Sequence, residues 1–334
     1  MLLLHLLPDQ EGSAGSGRDF GGGQVAELQP LLVARLDRGM HMEPIMSNTP
    51  PISPTPHDLT ITPRDRRFGR GHKMSRWWLN DDPVATAFYN ALSVTFPKGE
   101  AYFVDSVRRF RDGTPPKLAG EIQAFVKQEV IHTREHVAFN RHVAEQGYDT
   151  TPLDRDVDAA LALTRDRPAI AALAATTALE HFTAMLAHEL IANPKHLAGG
   201  DEQARALWLW HAAEEIEHKG VAYDTWLHAT RDWSRAKRWQ VKSLVMLVTT
   251  WRFFTGRTRG MLELLRQDGL SGPRIWARLA WYAFGNPGMA RKVAGVWAAY
   301  FLPRFHPWKH DDRALINLAE SDYEAAIAPR VATA

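Results

Sequence analysis

The sequence predicts an all-α protein in which a four-helix bundle carries additional C-terminal amphipathic helices. Between about residues 83 and 230, long segments place apolar residues at helical spacing, and acidic or histidine side chains interrupt four of those stripes. Basic, aromatic segments with the same periodicity follow. We therefore predict three parts in this chain of 334 residues: a disordered leader at 1–60, the bundle at 61–230, and a helical extension at 231–334 packed on the bundle.

The first 60 residues are rich in Gly, Pro and Ser and show little helical periodicity, which predicts disorder. The next segment, 61–79, contains four charged residues at 64–67 and the pair Trp77-Trp78. We interpret this segment as a strap packed on the bundle. A nucleic-acid-binding arm is the alternative, but no long basic run follows, so no nucleic-acid partner is predicted.

Four bundle helices and one crossover follow from the capping and breaking residues. The first helix should begin after Asp82, with Asp81 or Asp82 as its cap, and reach about Arg111. Pro97 and Gly99 predict either a kink or the start of a new helix. The second spans about 116–146, the third 168–193, and the fourth begins after Asp201 and ends by about Thr230. A short helix at about 156–163 lies in the long crossover before the third.

Metal-ligating residue types interrupt the apolar stripes. His211, Glu215 and His218 stand one turn apart on one face of the fourth helix. The second helix carries Glu129 and His132, three residues apart. Unpaired polar groups on these faces would be costly, and the chain has no cysteine, so nitrogen and oxygen atoms are the available ligands.

Two single glutamates complete the predicted set. Glu100 and Glu180 are the acidic residues that fall on the inner stripes of the first and third helices, and the four acidic positions are separated by 29, 51 and 35 residues. One Glu from each of two helices and a Glu-x-x-His from each of the others is the pattern of a dinuclear site in a four-helix bundle. His136, one turn beyond His132, is predicted to support a ligand by hydrogen bonding rather than to bind metal.

The C-terminal extension is basic and aromatic. Residues 231–310 contain fifteen Lys and Arg against three acidic residues, and seven of the twelve tryptophans. The segments 239–254, 273–284 and 287–300 are typical of amphipathic helices. We prefer the interpretation that they pack across the bundle with their Arg side in water. Peripheral contact of 231–310 with an anionic membrane, or closure over an acidic ligand, is the alternative.

The pattern from about 80 to 230 resembles the ferritin-like di-iron carboxylate superfamily. The segment Phe96-Pro-Lys-Gly-Glu100, the two Glu-x-x-His helices and the late Phe305-His-Pro-Trp308 look like a bacterial family labelled predicted metal-dependent hydrolases. The additional His211, four residues before Glu215, is similar to the extra histidine ligand of the arylamine N-oxygenases, which have a three-histidine, four-glutamate di-iron site.

These resemblances imply a di-iron oxidoreductase that uses dioxygen as co-substrate to oxygenate or oxidise a small, apolar organic substrate. Such an enzyme needs an electron donor, a reductase or a ferredoxin. Two alternatives stay open: a dinuclear metal-dependent hydrolase, and a non-catalytic iron-binding protein. Manganese or zinc could replace the two irons, because Glu and His suit all three metals. A cytoplasmic location is expected, with membrane association as the alternative, because no apolar run reaches about 18 residues.

Overall fold

The computed structural model describes residues 55–327, and within that range the elements are helices without a β-strand. The predicted all-α class is therefore confirmed for this part of the chain. Residues 1–54, most of the predicted leader, lie outside the described residues, so the leader remains a prediction. At the start of the described range Thr55 is buried, and its hydroxyl donates to Asp224 Oδ2 at 2.7 Å.

The first predicted bundle helix is two helices. Helix α1 spans Pro83–Ser93 and α2 spans Phe96–Arg108, so the break falls just before Pro97. Proline is tolerated there because backbone N–H groups in the first turn of a helix have no acceptor within the helix, so a residue without an N–H loses no hydrogen bond. Asp82 caps α1 as predicted, accepting from the backbone N–H groups of Val84 and Ala85 at 2.8 and 3.3 Å.

The remaining bundle helices lie close to their predicted bounds. Helix α3 spans Pro116–Glu145, α4 spans Thr151–Leu161, and α5 spans Ala169–Ala192. The crossover helix α4 thus begins about five residues earlier than predicted, because Asp149, with its side chain accepting from Thr151 N at 2.9 Å, starts the turn.

The predicted fourth helix is interrupted. Helix α6 spans Glu202–His218 and α7 spans Val221–Ala229. A Cβ on Gly220, between them, would lie 2.7 Å from Trp308 Cδ1, so only glycine lets the tryptophan ring pack this closely on the backbone. As predicted, Asp201 caps the start of α6, accepting from Gln203 N and Ala204 N.

The C-terminal extension forms four helices that pack on the bundle. Helix α8 spans Arg235–Gln267, and α9 spans Pro273–Ala280, followed by a π-helical turn at Trp281–Gly285. Helix α10 spans Met289–Ala299 and α11 spans Arg313–Ile327. Helix α8, longer than the predicted 239–254, contacts α1 and α5, and α11 contacts α6. The rings of Phe182 on α5 and Phe253 on α8 stack at 4.8 Å.

The segment 61–79 packs on the bundle, as the strap interpretation predicted. Its buried side chains are Ile61, Phe68, Met74, Trp78 and Leu79. Phe68 contacts Trp210 of α6 at a ring distance of 5.3 Å, and Trp78 Nε1 donates to Asn90 Oδ1 at 2.9 Å. The strap also brings Arg64 to α6, where its guanidinium contacts Glu214 and Glu217, each of which directly precedes a predicted ligand.

One described helix, α5, is long and apolar enough to cross a membrane by length and composition. Helix α5 is not an uninterrupted apolar run of that length, because Glu180 and His181 lie in its middle. Its alanine-rich sequence with few charged residues nevertheless leaves its mean hydropathy high. Most of its apolar window is buried against other helices, which is what a core helix of a bundle requires.

Candidate metal centre

Four helices direct the seven predicted ligands into the interior of the bundle. Helix α2 contacts α3 and α5, and α6 contacts α3 and α5, so the four elements surround one space. None of the seven is more than 4% exposed: Glu100 on α2, Glu129 and His132 on α3, Glu180 on α5, and His211, Glu215 and His218 on α6. The structure thus brings together every residue of the predicted set, while their role as ligands remains a prediction.

The first group of ligand atoms surrounds His218. Its Nε2 atom lies 3.3 Å from Glu129 Oε1, 3.6 Å from Glu180 Oε2 and 3.4 Å from Glu215 Oε2. Ligands bound to one metal at about 2.1 Å and at a right angle are about 3.0 Å apart, and wider angles give larger separations. The spacing therefore suits four ligands of a single ion.

The second group contains the other two histidines. His211 Nε2 lies 2.9 Å from Glu215 Oε1, and His132 Nδ1 lies 3.7 Å from the same oxygen. Ligand atoms of Glu100, Glu129 and His132 also lie within 4.8 Å of one another. Glu215 directs one oxygen to each group and Glu129 belongs to both, so these two carboxylates are placed to bridge a pair of ions.

Unpaired buried atoms test whether the residues fit two metals. Each of the seven side chains has at least one buried nitrogen or oxygen atom that lacks a hydrogen bond of acceptable geometry: Glu100 Oε1, both oxygens of Glu129 and of Glu180, His132 Nδ1, His211 Nε2, Glu215 Oε2 and His218 Nε2. The 2.9 Å contact of His211 with Glu215 does not have hydrogen-bond geometry. Buried polar atoms normally have partners, so this concentration of unpaired atoms is what a metal pair would satisfy.

The charges of the centre also favour a bound pair of cations. Burial raises the pKa of Glu100 and Glu129 well above the ordinary range, and raises that of Glu180 to about 8, so the protein alone does not hold these groups ionised at neutral pH. Two divalent cations would balance four carboxylates, giving a net charge of zero with neutral histidines. Such compensation is what a buried site requires.

The histidine tautomers are set by outer hydrogen bonds. When His132 Nδ1 is kept for a metal, Nε2 carries the proton and donates to Glu214 Oε2 at 3.0 Å. When His218 Nε2 is kept for a metal, Nδ1 donates to Gln128 Oε1 at 2.9 Å. The Gln128 amide in turn donates to Glu217 Oε2 at 2.7 Å. Such partners orient a ligating imidazole and raise its basicity.

Arg64 of the strap joins these two chains of hydrogen bonds. Its guanidinium contacts Glu217 at 3.1 and 3.2 Å and Glu214 at 3.5 Å, and its backbone N–H donates to Glu214 at 2.9 Å. Burial raises the pKa of Glu214 to about 7, although Arg64 acts to lower it. One arginine, distant in sequence, thus supports the partners of both Glu-x-x-His histidines.

His211 is oriented separately. His136 Nε2 lies 2.7 Å from His211 Nδ1, and His136 Nδ1 lies 2.8 Å from the Ser93 hydroxyl, which donates to Asn140 Oδ1 at 2.7 Å. If His211 binds through Nε2, its Nδ1–H donates to His136, and His136 then donates to Ser93. Both ring nitrogens of His136 have hydrogen-bond partners, whereas each of the three predicted histidine ligands leaves one ring nitrogen unpaired.

Aromatic rings close the space around the histidines. His132 stacks on His211 at 4.2 Å, Phe96 lies 4.6 Å from His211, and Phe125 lies 4.9 Å from His218. Parallel stacking at this distance suits neutral rings, and burial lowers the pKa of His132 well below its ordinary value, with His211 adding to the effect. Neutral imidazole is the form that binds metal.

Four supporting residues were not predicted from the sequence: Arg64, Gln128, Glu214 and Glu217. Glu214 and Glu217 stand within the same short motif as the ligands, and both are buried in the structure. Buried carboxylates such as Glu214 and Glu217 require a cation to balance their charge, and the basic segment at 64–67 contains candidates. That complementarity was the available signal, although spacing alone could not pair segments about 150 residues apart.

Comparison with known proteins assigns a family. A family model described as "Predicted metal-dependent hydrolase" matches residues 62–311. The chain belongs to this family. The match begins in the strap and ends just before α11, so it includes the seven predicted ligands and their supporting residues. No curated protein and no solved structure matches, so the resemblance to ferritin-like proteins and to N-oxygenases still depends on the motifs alone.

Proposed function

We infer that this protein is a dinuclear metal-dependent enzyme, with hydrolysis as its first candidate reaction. The observation that carries the dinuclear site is the set of seven buried side chains, each with an unpaired atom in one of two adjoining groups. The choice of hydrolysis is supported by the description of the family.

In this proposal, Glu100, His132 and His211 would hold one ion, Glu180 and His218 would hold the other, and Glu129 and Glu215 would contribute to both. A bound pair of divalent ions would supply Lewis-acid activation of the substrate and of an attacking water. The protein orients the three imidazoles through hydrogen bonds with Glu214, Gln128 and His136. Its aromatic rings exclude bulk water from the histidines, which strengthens every electrostatic interaction in the site.

A dioxygen-dependent oxidoreductase is the second candidate. The observation that favours it is the additional buried histidine, His211, in contact with Glu215 at the position that resembles the N-oxygenases. Four carboxylates, two of them placed to bridge, tolerate a change of metal charge because carboxylates shift between bridging and terminal binding. Iron, an electron donor and an apolar small substrate belong to this second proposal.

The test separates metal binding from reaction type. Protein prepared without added metal is analysed for metal content, reloaded with zinc, manganese or iron, and assayed with ester and phosphate substrates under strict anaerobiosis. We expect two metals per chain and anaerobic hydrolysis, both lost in Glu215→Ala and kept in the exposed control Glu145→Ala.

Other outcomes point elsewhere. Two metals without anaerobic turnover, together with oxygen uptake by the reduced iron form that depends on substrate, would favour the oxidoreductase. Two metals with neither reaction would favour a non-catalytic iron-binding protein. Two metals retained in Glu215→Ala would contradict the proposed centre itself.

A further inference from the structure

Exposed aromatic side chains are concentrated on the C-terminal extension. Among residues 55–327, the six aromatic side chains with large exposed fractions all lie between residues 239 and 284: Trp239, Trp251, Phe254, Trp276, Trp281 and Phe284. Trp251 and Trp281 are 70% and 67% exposed. Large apolar side chains in water are costly when they cluster, and such clusters mark interaction sites.

Helix α9 and the turn after it are apolar on two sides. Ile275, Leu279 and Tyr282, at i, i+4 and i+7, are buried against the protein. Trp276 and Trp281 lie elsewhere on the same helical surface and are exposed. A helix that only covered the bundle would present polar residues to water, so packing on the bundle does not account for these tryptophans.

Helix α8 has a similar outward stripe. Leu247, Trp251 and Phe254 are spaced i, i+4 and i+7 and are exposed. Val245, Met246 and Thr249 on the other side of the helix are buried. The spacing shows that the exposed residues share one face of the helix. This face is apolar although it does not pack on the bundle.

Helix α10 connects the two apolar faces. Near its start, Arg291 Nε donates to the Phe284 carbonyl at 3.0 Å, and near its end Trp297 Nε1 donates to Thr250 Oγ1 at 2.9 Å. Thr250 directly precedes Trp251. We call the exposed residues Leu247, Trp251, Phe254, Trp276, Trp281 and Phe284, with the arginines around them, the basic aromatic surface.

The charge around this surface is positive. Residues 231–310 carry fifteen Lys and Arg and three acids, a difference of twelve positive charges. Glu263 and Asp268 are already paired, with Arg266 at 2.8 Å and Arg76 at 2.7 Å. On the basic side, Arg278 and Lys292 are paired with Asp82 and Glu189 at 2.7 Å and Lys242 is buried, so the positive excess of the surface comes from the remaining basic residues. A partner that covers this region must therefore supply negative charge together with an apolar layer.

We propose that the basic aromatic surface binds peripherally to an anionic lipid bilayer. Tryptophan and phenylalanine insert at the boundary between headgroups and acyl chains, and arginines bind the anionic headgroups. A second copy of the chain fits less well, because a two-fold contact would place the same positive surface against itself. The proposal does not depend on the reaction at the metal centre.

The test is co-sedimentation of the full chain with vesicles of phosphatidylcholine alone or mixed with phosphatidylglycerol. We expect binding to the mixed vesicles that weakens with added salt, since screening acts on exposed charges. Trp276→Ser combined with Trp281→Ser should reduce the partition coefficient by about tenfold or more. Leu163→Ser with Leu318→Ser, two exposed apolar residues outside the surface, is the matched control and should leave it unchanged.

The contribution of the arginines to vesicle binding is tested in the same way. Arg252→Gln with Arg274→Gln should also reduce binding about tenfold, whereas Arg111→Gln with Arg155→Gln, exposed residues outside the extension, should not. Helical circular dichroism and metal content verify folding of each variant. Absence of vesicle binding, or equal loss in the control variants, would overturn the proposal. A dimer that the tryptophan variants dissociate, without vesicle binding, would replace it with self-association.

Discussion

His136 Nε2 lies 2.7 Å from His211 Nδ1, deep in the bundle, and both rings are almost inaccessible to solvent. This contact leaves His211 Nε2 directed at Glu215, which is the geometry that the predicted supporting role of His136 requires. The same arrangement is found at His132 and His218, which use Glu214 and Gln128. Each predicted histidine ligand therefore has a buried partner on its far nitrogen.

We predict that His136→Ala lowers metal affinity by about 10- to 100-fold, because His211 loses the acceptor that sets its tautomer. His136→Gln should restore part of the affinity, since its amide oxygen can accept the same proton. Chelator competition measures the affinity. His228→Ala, on a partly exposed face of α7, is the control, and an unchanged affinity in His136→Ala would show that this contact does not support the site.

We predict that Arg64→Ala destabilises the fold by about 3–5 kcal/mol, because Glu214 and Glu217 stay buried without their cation. It should also lower metal affinity, since both supporting chains lose their anchor. Arg64→Lys keeps the charge and loses the planar fork, so an intermediate effect is expected. Urea unfolding with and without metal measures both effects.

The control for Arg64 is Arg67→Ala, an exposed residue of the same strap. It should change stability by no more than about 0.5 kcal/mol. Equal effects of the two substitutions would mean that the strap acts through its general charge and that Arg64 has no specific role.

We predict that the metal-free protein loses stability as the pH rises from about 6.5 to 8, above the range in which the lowered pKa values of His132 and His136 favour the folded state as the pH rises. Burial raises the pKa of Glu180 to about 8, and Glu215 raises that of His218 to about 9 against the opposing effect of burial. A raised folded-state pKa contributes stability that is present below the unfolded-state value and is lost as the pH passes through the folded-state value.

Metal should reverse this pH dependence, because cations replace the protons and bind more tightly as the pH rises. Glu215, whose pKa is lowered because His218 and His211 outweigh the effect of burial, changes stability only at more acidic pH. Urea unfolding of metal-free and zinc-loaded protein across this range is the measurement. Metal-free stability that rises with pH would contradict the assigned directions.

We predict that Gly220→Ala destabilises the protein by about 1–3 kcal/mol, because its Cβ would collide with the Trp308 ring. The matched substitution Gly256→Ala, within α8 with open space around the added carbon, should stabilise the protein by up to about 1 kcal/mol. Thermal unfolding measures both. If Gly256→Ala destabilised the protein and Gly220→Ala did not, the contact with Trp308 would not be what restricts residue 220 to glycine.

The amino-acid sequence was sufficient to predict the helical class and the positions of the seven candidate ligands. The reason is local: Glu-x-x-His and His-x-x-x-Glu spacings place side chains on one helix face whatever the helix packs against. Pro97 and Gly99, near Glu100, also indicated an irregularity in the first helix, but a kink and a break produce the same sequence pattern. The structure shows a break between α1 and α2.

The residues that support those ligands, and the apolar residues that stay exposed, depend on how the helices pack in three dimensions. Arg64 meets Glu214 and Glu217 across about 150 residues, a pairing that depends on how the strap crosses α6. Trp276 and Ile275 are neighbours in sequence and both apolar, yet one is exposed and the other buried. Periodicity identifies apolar residues along a helix, but the face that is covered depends on the neighbouring helices that pack against it.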